Sequence, residues 1–322
     1  MFALYPLLLR PEFVERPWGA RDLSPVYPGH RCEKPIGEVW LTSDQNRVAN
    51  GPLAGRTLGE LCKQYGRELV GESARETERF PLLIKFLFPR EKLSVQVHPD
   101  DEVARRIGQP CGKTECWYVL AADPGAQVAL GLKPGVTREQ LARAIQEVRA
   151  EELLNWVKIC PGEMIYVDAG TVHTIGPGSI LVETQQNSDT TYRLYDYGRP
   201  REIHVQQGLA ATKERTRAGK IKHDGATMVA SSSFLVEKFA LKKARCFEAA
   251  HSPQIFIALE GSGTTDVQGG PAVSLARGDA LVVPAAVAQV GLRAQEEFEM
   301  LRMTLPGEAM TEPRTTLGHR QA

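Results

Sequence analysis

Gly162-Glu163-Met164-Ile165-Tyr166-Val167-Asp168-Ala169-Gly170-Thr171-Val172-His173 is met a second time, in diluted form, at Gly278-Asp279-Ala280-Leu281-Val282-Val283-Pro284-Ala285-Ala286-Val287-Ala288-Gln289. In both copies a glycine opens the segment, a short apolar strand follows, and eleven positions separate the glycine from the closing residue. A second correspondence lies upstream, where Glu115-Cys116-Trp117-Tyr118-Val119-Leu120 matches Gln254-Ile255-Phe256-Ile257-Ala258-Leu259. Both segments recur in the same order, which marks two copies of one structural plan.

Outward from the repeat, short β-rich runs dominate: Pro81 to Phe88, Leu93 to Val97, Ile180 to Thr184 and Phe234 to Leu241, most of them bounded by Gly, Pro or Asp. Strands of this length and density point to barrels or sandwiches rather than a parallel α/β sheet. The pattern resembles two cupin barrels (double-stranded β-helix, jelly-roll), so the expected class is mainly β with a few helical insertions. One insertion begins at a capping box of Thr137 and Gln140, continues through Leu141, Ala144, Ile145 and Val148 at helical spacing, and is expected to run to about Trp156 outside the barrel. A weaker helix candidate spans Leu58 to Leu69. The boundary falls in the polar stretch near residues 215–228. That gives a catalytic metal-binding domain at 1–222 and a second, metal-free one at 223–322, with a polar mobile tail after about Leu305.

At 322 residues, two domains are the prior, because single cores stop growing near roughly 250 to 300 residues. Lys plus Arg and Asp plus Glu stand at 39 each, so no global field favours nucleic acid, and an anionic substrate must be caught by a local cluster. The six cysteines show no CxxC spacing, as isolated reduced thiols would not. No run reaches the ~18 apolar residues of a membrane helix, and Met1 to Leu9 lacks the basic start of an export signal. A cytoplasmic protein with no membrane or nucleic-acid partner is expected, as a monomer or homodimer.

The repeat also says which half carries chemistry. Glu115 becomes Gln254 and His173 becomes Gln289, so two good metal ligands in the first copy are neutral amides in the second. In Leu93-Ser94-Val95-Gln96-Val97-His98-Pro99-Asp100, strand alternation puts Gln96 and His98 on one face. With Glu115 and His173 from other strands, two imidazoles, one carboxylate and one amide oxygen form an open site for a catalytic divalent ion. These ligand types suit zinc first; manganese, cobalt and iron also accept them.

Glu91 to Asp101 closely resembles the signature of the type I mannose-6-phosphate isomerases. Gly112 to Tyr118, Gly170-Thr171-Val172-His173, Asp189-Thr190-Thr191-Tyr192-Arg193 and Arg201-Glu202-Ile203-His204 resemble further blocks of that family in the same order. Ile36 to Trp40 and Ala49 to Gly55 resemble its N-terminal region, and the length resembles its short bacterial form. The resemblance implies one zinc ion per chain on Gln96, His98, Glu115 and His173, with Arg193 as the active-site arginine. It also implies interconversion of mannose 6-phosphate and fructose 6-phosphate through a cis-enediol. The second-copy motif is degenerate, and Asp168 stands where cupins often place proline.

Arg193 holds its proton too firmly to act as a base, so its expected role is electrostatic. The proton carrier stays open between a water on the metal, Asp189 and Lys113, which shares the face of Glu115. Lys85 and Ser94 are the substrate-binding candidates, with the phosphate as one possible contact of either lysine or of Ser94. A sugar-phosphate sensor on the same fold and a metal-dependent dioxygenase are the competing classes; the full ligand set with Arg193 disfavours the first, and Gln96, Lys113 and Arg193 the second.

Overall fold

A computed structural model describes residues 3–223, 225–266, 272–307 and 312–316. Four antiparallel sheets lie in layers. A seven-stranded sheet has the order Gly219–Lys220, Met164–Val167, Glu115–Ala122, Ser179–Gln186, Leu82–Leu87, Arg31–Trp40, Glu12–Asp22. It faces a five-stranded sheet ordered Tyr192–Tyr195, Val95–Val97, His173–Ile175, Gln127–Leu132, Leu154–Lys158. Between them Trp117, Val119, Ile165 and Leu181 meet Val128, Leu130 and Ile175 in one apolar cluster.

The C-terminal half repeats the arrangement with a six-stranded and a four-stranded sheet. Phe256, Leu281, Val283 and Met300 of the larger sheet pack on Phe247, Leu275, Val290 and Leu292 of the smaller. The two larger sheets then stand back to back over the largest cluster, where Ile84, Phe86, Tyr118 and Val182 meet Ile255, Ile257, Val282 and Leu301. Strand alternation explains how one strand serves two cores. In Leu82–Leu87, Leu82, Ile84 and Phe86 point into the shared cluster while Lys85 and Leu87 face the other way.

The glycines that open the two repeat segments keep the same backbone, with Gly162 at φ 86 and Gly278 at φ 91, a region that residues with a Cβ seldom enter. Asp168, in the place of the usual proline, closes its own turn by accepting from the Thr171 hydroxyl at 2.9 Å and from the Arg217 amide at 3.0 Å.

Leu58–Tyr65 and Arg67–Val70 are helical, broken at Gly66, and the first is capped by Thr57 and Glu60 as a capping box. The insertion departs from expectation. Its helix starts at the Thr137–Gln140 box but spans only Arg138–Gln146, followed by a 3₁₀ turn at Ala150–Leu153 and a strand at Leu154–Lys158. Val148 at φ 59 stops the helix, and the apolar residues beyond it satisfy a sheet edge instead. Leu141 and Ile145 pack on the outer face of the five-stranded sheet beside Val95, Val97 and Leu154.

The C-terminal tail differs too, because one described part of it, 312–316, is anchored. Thr315 forms a β-bridge with Ile221, the Thr316 amide donates to the Lys220 carbonyl at 2.8 Å, and Tyr166 donates its hydroxyl to Glu312 at 2.5 Å. The rest of that tail, at 308–311 and 317–322, lies outside the described residues. At the other end Leu7–Leu9 pairs with the strand Ala280–Val283 of the C-terminal half, Leu8 facing Leu281. No described helix is long and apolar enough to cross a membrane.

Candidate active site

Three strands of the five-stranded sheet line up the first site residues. Gln96 is in register with His173 on one side and with Arg193 on the other, so an amide, an imidazole and a guanidinium stand side by side. His98 follows at the end of its strand, and Glu115 opens a strand of the opposite sheet. His98, Glu115 and His173 are all buried, and their ligand atoms lie within 4.8 Å of one another.

The tautomers are set by the backbone. His98 Nδ1 donates to the Thr190 carbonyl at 2.9 Å and His173 Nδ1 to that of Thr171 at 2.9 Å, leaving both Nε2 lone pairs aimed at Glu115. His98 Nε2 is 3.5 Å from Glu115 Oε2, and His173 Nε2 is 3.3 Å from Oε1. Two ligands held at ~2.1 Å by a tetrahedral divalent ion stand about 3.4 Å apart, so this spacing fits a metal. Burial pushes both imidazoles down, His173 to about 4, which keeps them neutral and able to ligate. Burial pushes the Glu115 carboxyl up to about 7, against the pull of Lys113.

Neither Glu115 oxygen has a partner of hydrogen-bond geometry, a costly arrangement for a buried carboxylate. The Lys113 ammonium sits 3.2 Å from Glu115 Oε2 and donates to His98 Nε2 at 3.0 Å. It therefore rests where these two groups attract a cation. Donor set and orphaned oxygens together fit a bound divalent ion.

The remaining predicted residues surround this nest. Gln96 turns its amide nitrogen to His173 Nε2 at 3.2 Å, while its oxygen accepts from the Ser94 hydroxyl at 2.9 Å; a half-turn of the amide would offer oxygen to a metal. Ser94 is thus in contact with Gln96 and almost fully buried. Lys85, also buried, pairs with Glu183 at 3.2 Å and lies 3.9 Å from Glu38. Asp189 is exposed at the cavity wall, and Arg193 is half-buried with its Nε lacking a partner. One cavity of about 340 Å³ is lined by Ser94, Gln96, Lys113, Glu115, Asp189 and Arg193.

Sequence reading missed five charged residues of this cavity: Glu15, Arg16, Glu38, Glu183 and Arg201. Glu38 and Glu183 had a visible signal, a carboxylate at an alternate position of an apolar strand. Both carry tryptophan donors, Trp40 Nε1 at 2.6 Å from Glu38 and Trp117 Nε1 at 3.2 Å from Glu183. Burial works against the Glu38 charge, but Lys85 and Arg16 outweigh it and hold the carboxyl near about 2.

Residues 9–125 match the model of the family described as phosphomannose isomerase type I, catalytic domain. Over 314 residues the chain is 34% identical to mannose-6-phosphate isomerase ManA of Bacillus subtilis, covering 91% of this chain and 97% of that one. The chain belongs to the type I phosphomannose isomerase family. Another member, the mannose-6-phosphate isomerase of Streptococcus mutans, is 38% identical over 214 residues, 63% of this chain and 66% of its own. The solved mannose 6-phosphate isomerase of Bacillus subtilis superposes with a TM-score of 0.82 at 32% identity, covering 92% of this chain and 99% of that one. Within this type I phosphomannose isomerase fold, Gln96, His98 and Glu115 lie inside the stretch matched by the family model, and His173 and Arg193 beyond it.

Proposed function

We propose that the chain interconverts mannose 6-phosphate and fructose 6-phosphate through a cis-enediol, with one zinc ion held by Gln96, His98, Glu115 and His173. The observation that carries this reading is the buried His98–Glu115–His173 nest with Gln96 in register between His173 and Arg193. Zinc, when bound there, would supply Lewis-acid stabilisation of charge developing at the sugar's O1 or O2.

The chain's own groups do the rest. Arg193 keeps a fixed positive charge beside the nest and stabilises the enediolate electrostatically. Lys113 and Asp189 are the proton-handling groups, and the contact of Lys113 with both His98 and Glu115 favours it over exposed Asp189. Lys85 and Ser94 form the substrate-binding wall, each already oriented by a neighbour, Glu183 and Gln96 respectively. The closed sheet pairs are read as two cupin barrels, residues 1–222 and 223–322, with Leu7–Leu9 lent to the second. That second barrel binds no metal because Gln254 already donates its amide to the Glu248 carbonyl at 2.9 Å and Gln289 is exposed. Six free cysteines and balanced charge support a cytoplasmic enzyme, a monomer or homodimer acting on a sugar phosphate.

The test is a coupled assay for fructose 6-phosphate formed from mannose 6-phosphate, before chelation, after it, and with zinc restored. Turnover lost on chelation and regained with zinc is expected. Turnover untouched by removal of all bound metal refutes the metal-assisted mechanism, and none with metal and Arg193 in place refutes the substrate.

A further inference from the structure

Lys85 and Ser94 are committed to Glu183 and Gln96, yet a phosphorylated substrate brings a dianion that something must meet. At the cavity wall stand three guanidiniums, Arg16, Arg193 and Arg201. We infer that Arg16 and Arg201, the two not already assigned to the enediolate, form the receptor for the substrate's phosphoryl group, with Asp196 as the positioning residue that aims Arg201 into it. The inference rests on the isomerase reading for the sugar but not for the anion.

Two of the three are tethered from behind. Asp196, 2% exposed, accepts from Arg201 Nε at 2.7 Å and from its Nη2 at 2.6 Å. This side-on pairing leaves Nη1 and one Nη2 hydrogen of Arg201 for another acceptor. Glu38 grips Arg16 in the same manner, from Nε at 3.2 Å and Nη2 at 3.0 Å. Its charge is divided, however, because the Trp40 indole and Lys85 share the carboxylate.

Arg193 has no ion-pairing carboxylate among the described residues, and its Nε is buried without a partner. Burial and then the nearby Arg201 charge pull its proton affinity down, as crowding of like charges requires. Such a cluster is unfavourable by itself and is relieved by one multiply charged anion. A phosphoryl group offers two negative charges and three acceptor oxygens, the geometry guanidinium forks match.

The backbone makes the placement specific. Asp196-Tyr197-Gly198-Arg199 is a tight turn, Tyr197 lies at φ 55, and Asp196 also accepts from Arg199 Nη1 at 3.2 Å. The chain then doubles back so that the His204 amide donates to the Arg193 carbonyl at 2.7 Å. Arg201 is thereby returned to the strand that carries Arg193, while Arg199 points away to Glu91 and the Lys92 carbonyl.

The experiment measures KM and kcat for mannose 6-phosphate, and inorganic phosphate binding by calorimetry, on the metal-loaded protein. Arg201→Gln should raise KM by about tenfold or more and weaken phosphate binding in proportion, with kcat changed by less than about threefold, as loss of charge-assisted contacts predicts. Asp196→Asn should move both in the same direction by less, with Asp196→Glu recovering part. Arg199→Gln, which loosens the same turn without facing the cavity, should leave phosphate affinity within about twofold. An Arg201→Gln protein with unchanged KM and phosphate affinity, or with kcat alone reduced, overturns the inference. If Asp196→Asn fails to fold, Arg201→Gln and Arg201→Lys still decide it. Wild-type protein that binds phosphate without turning over mannose 6-phosphate refutes the substrate reading and leaves the receptor standing; failure to bind phosphate refutes the receptor.

Discussion

At the scale of single residues, the site works by giving each polar atom one orienting partner and leaving one atom free. His98 and His173 each spend Nδ1 on a backbone carbonyl, and Ser94 holds one end of the Gln96 amide. Arg193, which no carboxylate holds among the described residues, should be separable from the metal. Arg193→Ala is expected to cost turnover about a hundredfold or more with metal content unchanged, whereas His173→Ala loses both; metal analysis beside the assay distinguishes them. Glu115 makes a second prediction, about pH. Burial raises its folded value from 4.5 to about 7 in the metal-free nest. The folded metal-free protein therefore holds this proton more tightly than the unfolded chain, and the associated stability, present below the unfolded value, is lost as pH rises through the folded one. Relative to wild type, metal-free Glu115→Gln should gain denaturation midpoint from about pH 5 to about pH 8, and equal pH profiles would count against the shift. A divalent ion bound at the proposed site would be expected to offset the wild-type loss by taking the place of that proton.

At the scale of elements, strand alternation does most of the positioning. The strand Leu82–Leu87 sends Phe86 to the core shared by the two halves and Lys85 to the cavity of the candidate site, and the three-strand row His173, Gln96, Arg193 needs correct register of two pairings at once. The helix Arg138–Gln146 shows the opposite case, where local signals set the start and strain sets the end. Val148 is β-branched, 62% exposed and at φ 59, so its side chain contributes little packing and resists its backbone. Val148→Gly should stabilise the protein by about 1 kcal/mol, read as a higher denaturant midpoint at constant slope.

At the scale of the whole molecule, the back-to-back sheets make the two halves one folding problem. An interface this apolar is not a hinge. All four tryptophans, Trp18, Trp40, Trp117 and Trp156, lie in the N-terminal half, whereas Ile257 is a fully buried contributor from the C-terminal half. Ile257→Ala should therefore cost about 3 kcal/mol and lower the tryptophan-fluorescence midpoint together with the circular-dichroism midpoint. A fluorescence midpoint that stays put while the dichroism moves would mean the halves unfold independently. The pairing of Leu7–Leu9 with Ala280–Val283 ties the first described strand into the sheet of the C-terminal half.

The sequence by itself determined the β class, the strands around the repeat, the helix start at Thr137 and the candidate ligands His98, Glu115 and His173. These signals are local: alternation, capping chemistry and ligand-type residues within a few positions of a turn. Helix termination at Val148 and anchoring of 312–316 were not legible there, since both depend on which distant sheet edge is available. Nor were the charged partners that surround Lys85. Glu38 and Glu183 flank Lys85 from the two strands beside its own, far apart in the chain, and Arg201 lines the same cavity while paired to a buried Asp196. Charged residues of that kind look like solvated surface in a sequence, and only the tertiary structure, by removing water and supplying the counter-charge, makes them a site.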